Sequence, residues 1–73
     1  MALEVSELGR LLEEVYGSDY VNYAFNVALK SKNPLIKFLR LLAKRKKLDP
    51  FLLNVAVSYF EYRKRGRAIY IFD

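Results

Sequence analysis

The sequence contains no cysteine and no histidine. Without cysteine there is no disulfide staple and no thiolate metal site. Without histidine the commonest metal ligand and the usual general base are missing. Threonine, glutamine and tryptophan are absent as well. No apolar run approaches the roughly 20 residues of a membrane span. No basic–apolar–small leader precedes the domain, and acids come early. These absences lead us to expect a soluble, cytoplasmic protein without a membrane partner. Few thermolabile residues among many charges fit a hyperthermophile source.

Catalytic machinery is also hard to find. There is no glycine-rich phosphate loop and no pair of carboxylates at metal-binding spacing. Glu13 and Glu14 are adjacent, so on a helix they point about 100° apart. They read as a solvated acidic face. The expectation is a protein that is not an enzyme and that carries no metal and no cofactor.

What the chain does have is apolar surface. Its 73 residues make one domain, 53% of them hydrophobic and 15% aromatic. A chain this short buries only about 60% of its unfolded surface. Either the core is dense, or a second copy or another protein covers part of that surface.

The stretch DPFLLNVAVSYFEYRKR, residues 49–65, carries the largest apolar load. Asp49 is a good N-cap, and Pro50 suits the first helical position, where its missing N–H costs nothing. Asn54, Ser58, Glu61 and Arg65 fall in one narrow polar stripe, and nearly every other position is large and apolar. Such a helix is expected to be central, covered on most sides, or part of a subunit interface. Leu53 and Val57 lie opposite the polar stripe. If that side is the core, Leu53→Ala costs about 2–5 kcal/mol.

Three helices are expected before it. In residues 3–16, Val5, Leu8, Leu12 and Val15 form an apolar stripe that Leu11 and Tyr16 widen, and Gly17 is the stop. Gly9 weakens its middle by about 1 kcal/mol unless another helix crosses closely. Residues 19–31 follow, capped by Ser18 or Asp19, with Val21, Ala24, Phe25, Ala28 and Leu29 inward. Asn33-Pro34 breaks the chain and starts residues 34–47. There Leu35, Ile36, Phe38, Leu39, Leu42 and Ala43 make the inward arc. The fold class is therefore all-α, a small four-helix domain, with Gly66 ending the last helix.

Residues 67–73 are β-branched and aromatic, and read as a short extended or β tail. Ile69, Tyr70, Ile71 and Phe72 would be an apolar strand edge if left bare, which soluble proteins avoid. They are candidate interface residues, and a homodimer or another protein partner is the natural cover.

Charge is segregated along the chain. Residues 1–29 hold five acids against Arg10, a net of −4, while residues 30–73 hold twelve Lys or Arg against three acids, a net of +9. Within the basic part, Lys37, Arg40, Lys44 and Lys47 recur at 3–4–3 spacing on one helix face, which Arg45 and Lys46 broaden. Such a face can neutralise several phosphates. Arg63, Lys64 and Arg67 form a second cluster with Arg65, which is left out of the candidate set. Both clusters stand at helix C-terminal ends, so a single patch is expected if those ends meet. These nine residues are the candidate nucleic-acid-binding set.

In outline, helix–Asn-Pro–helix resembles a helix-turn-helix, with residues 34–47 in the place of the recognition helix. Its turn lacks the usual glycine. Its outward face lacks Asn, Gln, Ser and Thr, which do much of the reading of base edges. Lys and Arg alone mostly contact phosphates, so little sequence specificity is expected. The six tyrosines can stack bases, although at helical spacing such residues more often fill cores. The function expected from sequence is a small basic DNA- or RNA-binding protein. The alternative is a protein-interaction adaptor, or a small subunit of a larger replication, transcription or viral assembly.

Overall fold

The computed structural model describes residues 5–65, which form four helices. They are α1 (Val5–Tyr16), α2 (Ser18–Leu29), α3 (Pro34–Arg45) and α4 (Pro50–Arg65). The all-α class is as expected, and there is no strand among the described residues. Gly66 and the tail with Arg67, Ile69, Tyr70, Ile71 and Phe72 lie outside them, as does the expected strand.

Local chemistry sets the corners. Gly17 has φ +91°, a backbone conformation that disfavours side chains. One residue thereby closes α1 and opens α2: its N–H donates to the Glu13 carbonyl, and its own carbonyl accepts from Val21 N–H. No side chain caps α2. The expectation of a Ser18 or Asp19 cap is corrected, because Ser18 already lies inside the helix. Asn33 holds the N-cap position of α3 but caps with its backbone carbonyl alone, 2.9 Å from Lys37 N. At α4 the full motif forms. Asp49 Oδ1 accepts from Leu52 N–H at 2.7 Å, a cap that contributes about 1 kcal/mol.

Helices α2 and α3 each stop two residues short of the expected end. After α2, Lys30 and Ser31 donate back to Val27 and Ala28 in a tightened last turn. After α3, Lys46 turns to extended backbone while still donating to the Leu42 carbonyl.

The helices pack in a ring, each against the next, with α4 closing onto α1. Leu8, Leu12 and Tyr16 of α1 are buried, with Val21, Ala24, Phe25 and Ala28 of α2. Phe38, Leu41 and Leu42 of α3 meet Leu52, Val55, Ala56, Tyr59 and Phe60 of α4. At the centre is an aromatic cluster. The Phe38 ring lies 5.1 Å from Phe60, 6.3 Å from Tyr59 and 6.3 Å from Phe25. Gly9 lets α1 approach α4: a Cβ there would sit 3.4 Å from the Tyr59 ring. The crossing helix that would justify this glycine is therefore present.

The inward arcs need correction in three helices. In α4 the buried side is centred on Val55, Ala56 and Tyr59, not opposite the polar stripe. Leu53 is 41% exposed and Phe51 52% exposed. Leu53→Ala therefore leaves no enclosed cavity and does not carry the 2–5 kcal/mol expected of a core leucine. The helix is one of four around the core and is not enclosed on most sides. In α3, Ile36 is 51% exposed and Ala43 is exposed, while Leu41 is buried in their stead. In α2, Leu29 is exposed and Val27 packs on the core.

Tyr16 links the end of α1 to the end of α3. Its hydroxyl donates to the Lys46 carbonyl at 3.0 Å. Burial, and secondarily the charge of Asp49, raise its pKa above the ordinary tyrosine value. The folded protein therefore resists ionising this hydroxyl more than the unfolded chain does. Its contribution is complete below about pH 10 and is lost as pH rises through the raised folded value. Tyr16→Phe should lower stability by about 1 kcal/mol at neutral pH. The gap between variant and parent should then narrow in alkaline solution. Denaturant melts of both proteins at neutral pH and near pH 11 check this. A gap of constant size would deny the hydroxyl any part in the alkaline loss.

Candidate nucleic-acid interface

The basic face of α3 forms as a face. Arg40 and Lys44 are exposed, Lys37 is half-buried, and Arg45, also exposed, broadens the face. Lys46 and Lys47 are exposed past the helix end. The expected place of Lys47 on the helical face is corrected, because Lys46 already has extended backbone. Among the described residues no carboxylate lies within ion-pair distance of these six side chains. The one described ion pair is Glu61 with Arg65, at 3.0 Å within α4. The acids Glu7, Glu13, Glu14 and Asp19 are exposed on α1 and the start of α2. The segregation seen in sequence is thus a segregation by helix.

Two contacts fix how α3 is presented. Tyr20, in the first turn of α2, donates its hydroxyl to the Leu41 carbonyl. The guanidinium of Arg45 lies 4.7 Å from the centre of the Tyr20 ring. The start of α2 is therefore beside the end of α3, and the pair is an antiparallel hairpin. This corrects the helix-turn-helix resemblance, whose two helices cross at about 90–120°.

The second cluster meets the first only at the start of α3, near Lys37, and not at its C-terminal end. Lys64 lines a cleft of about 290 Å³ with Asn33, Pro34, Leu35 and Ile36, which are at the start of α3. Since Lys44–Lys47 stand at its other end, about 18 Å of helix separates them. The expected meeting of two helix C-terminal ends is corrected: the end of α4 lies at the start of α3, next to the cleft that Lys37 and Arg40 line. Arg63 is further committed. Its guanidinium sits 4.1 Å from the centre of the Phe25 ring and donates to Asn22 Oδ1 at 2.9 Å and Tyr59 Oη at 3.1 Å. It clamps α4 to α2, with both hydrogen bonds given by Nη1. Arg67 lies outside the described residues.

Sequence reasoning overlooked one feature here. A cleft of about 270 Å³ at the turn between α2 and α3 is lined by Ser31, Lys32, Asn33, Ile36, Lys37 and Arg40. Three of the six are cations and none is an acid. Ser31 spends its hydroxyl proton on the Ala28 carbonyl. The Asn33 side chain makes no cap bond. Lys32 gave no periodic signal, being in a loop. Its position four and eight residues before Ile36 and Arg40, across Asn-Pro, was the only hint.

The tyrosines divide by burial. Tyr16 and Tyr59 are buried, Tyr20 and Tyr62 half-buried, and Tyr23 is 55% exposed. No helix among the described residues is long and apolar enough to cross a membrane. The chain matches no protein-family model, no curated protein and no solved structure.

Proposed function

We propose that this is a small cytoplasmic nucleic-acid-binding protein, not an enzyme, that holds the phosphate backbone through the α3 face with little sequence specificity. One observation carries the reading. Lys37, Arg40 and Lys44 line one side of α3, Lys47 follows just past its end, and no described acid neutralises them. The solvent-facing side of this helix offers cations and almost no neutral hydrogen-bonding side chains. Cations of this kind position a backbone and do not read bases. The cleft with Lys32 and Arg40 adds a concave place for one phosphate at the same face.

A second reading rests on a different observation. Phe51 and Leu53 of α4 are about half exposed, which suits an apolar contact with a second copy or another protein, as in an adaptor or a small subunit. Salt separates the two. Binding to a duplex of random sequence, followed by fluorescence anisotropy, should weaken steeply from about 50 to 200 mM salt. A log–log slope near zero, or no binding of either duplex or single strand at low salt, would sink the first reading and leave the apolar contact.

A further inference from the structure

We propose that Tyr23 is a base-stacking residue, and that the seam between α2 and α3 takes a single strand of nucleic acid. The inference rests on the basic-face reading and deepens it. Among the described residues Tyr23 is the most exposed large apolar side chain, at 55%. Its ring stands 6.0 Å from that of Tyr20. Tyr20 is in turn fixed to α3, by its hydroxyl on the Leu41 carbonyl and by Arg45 over its ring. Residues four before and three after Leu41 share its side of the helix. They are Lys37 and Lys44. The tyrosine pair therefore borders the strip that carries those two lysines and Arg45.

An open aromatic ring beside a row of cations suits one form of nucleic acid better than the other. A duplex stacks its bases on one another and offers the protein only phosphates and groove edges. A single strand leaves base faces free, and every base has one, so stacking is tolerant of sequence. Phosphates then follow the cations. From Arg45 back to Lys37 is about 12 Å along the helix axis. Lys37 also lines the cleft with Lys32 and Arg40, so the cationic path continues beyond the tyrosines. Phe51, the other exposed aromatic ring, has no cation or aromatic ring at contact distance among the described residues. It offers no such path.

The test compares the full chain with Tyr23→Ala and Tyr23→Phe, on labelled oligothymidylate of about ten nucleotides and on a duplex. Since Tyr23 projects into solvent, both variants should melt with the parent. Tyr23→Ala should lose roughly five- to a hundredfold in single-strand affinity. Tyr23→Phe, which keeps the ring, should stay within about twofold of the parent. Duplex affinity should not change in either. Equal single-strand binding by Tyr23→Ala and the parent overturns the inference, as does an equal loss on single strand and duplex. The basic-face reading survives both results if binding keeps its salt slope. No binding of either form at low salt overturns the two together.

Discussion

Phe38→Ala should cost about 3–5 kcal/mol, the cost of emptying a phenylalanine site that cannot collapse. Phe38 is fully buried, and its ring contacts Phe25, Tyr59 and Phe60 from the other two helices of the aromatic cluster. Removing it strips partners from all three. A domain of this length has only about 4–11 kcal/mol to lose. At roughly 4–8 °C per kcal/mol, the melting temperature should fall by 15 °C or more, to order of magnitude. Ile36→Ala, on the same helix but half exposed, is the control and should cost well under half as much. Far-UV circular dichroism melts of the two variants decide it. Similar melting temperatures would mean that the four-ring cluster is not the core.

The contrast between these two residues also marks how far the sequence could be read. The end of α1 and the starts of α2, α3 and α4 were legible to within one residue, because Gly17, Pro34, Asp49 and Pro50 each act through local chemistry. The face of α1 was legible too, since Leu8 and Leu12 are flanked by charges that exclude the other side. In α4 no charge occurs from Pro50 to Phe60. A helix apolar on nearly every side fits several rotations about its axis, and the one chosen opposite Asn54 and Ser58 put Leu53 in the core. In α3 the apolar arc was wide enough for Ile36 and Ala43 to pass as inward while Leu41 was missed. The burial of Leu41 depends on α2 lying alongside, which no local pattern announces.

The candidate site divides in the same way. That Lys37, Arg40 and Lys44 share a face follows from 3.6 residues per turn alone. Whether Arg63 belongs with them does not. Its partner Asn22 is 41 positions away in the chain, and its ring contact with Phe25 is again between α4 and α2. Counting charges treats Arg63 and Lys64 alike. Packing makes the first a clamp and leaves the second exposed beside the start of α3.

Replacing Lys37, Arg40, Lys44 and Lys47 together with Ser should abolish most nucleic-acid binding and leave the fold. None of the four meets a described carboxylate, so no described ion pair is broken. Three are exposed and the fourth is half-buried. The formal charge drops from +5 by four, to +1. Each phosphate contact on duplex DNA contributes about 0.9 to the log–log salt slope. Four lost contacts flatten it by up to about 3.6, which at 0.1 M salt is roughly a thousandfold in affinity. Serine is a poorer helix former than lysine or arginine, by a few tenths of a kcal/mol at each helical site. The same quadruple change to Gln avoids that cost and should weaken binding equally. If the Ser variant loses affinity and the Gln variant does not, the loss came from a frayed helix and not from charge. If both keep the parent's affinity and slope, α3 is not the binding face.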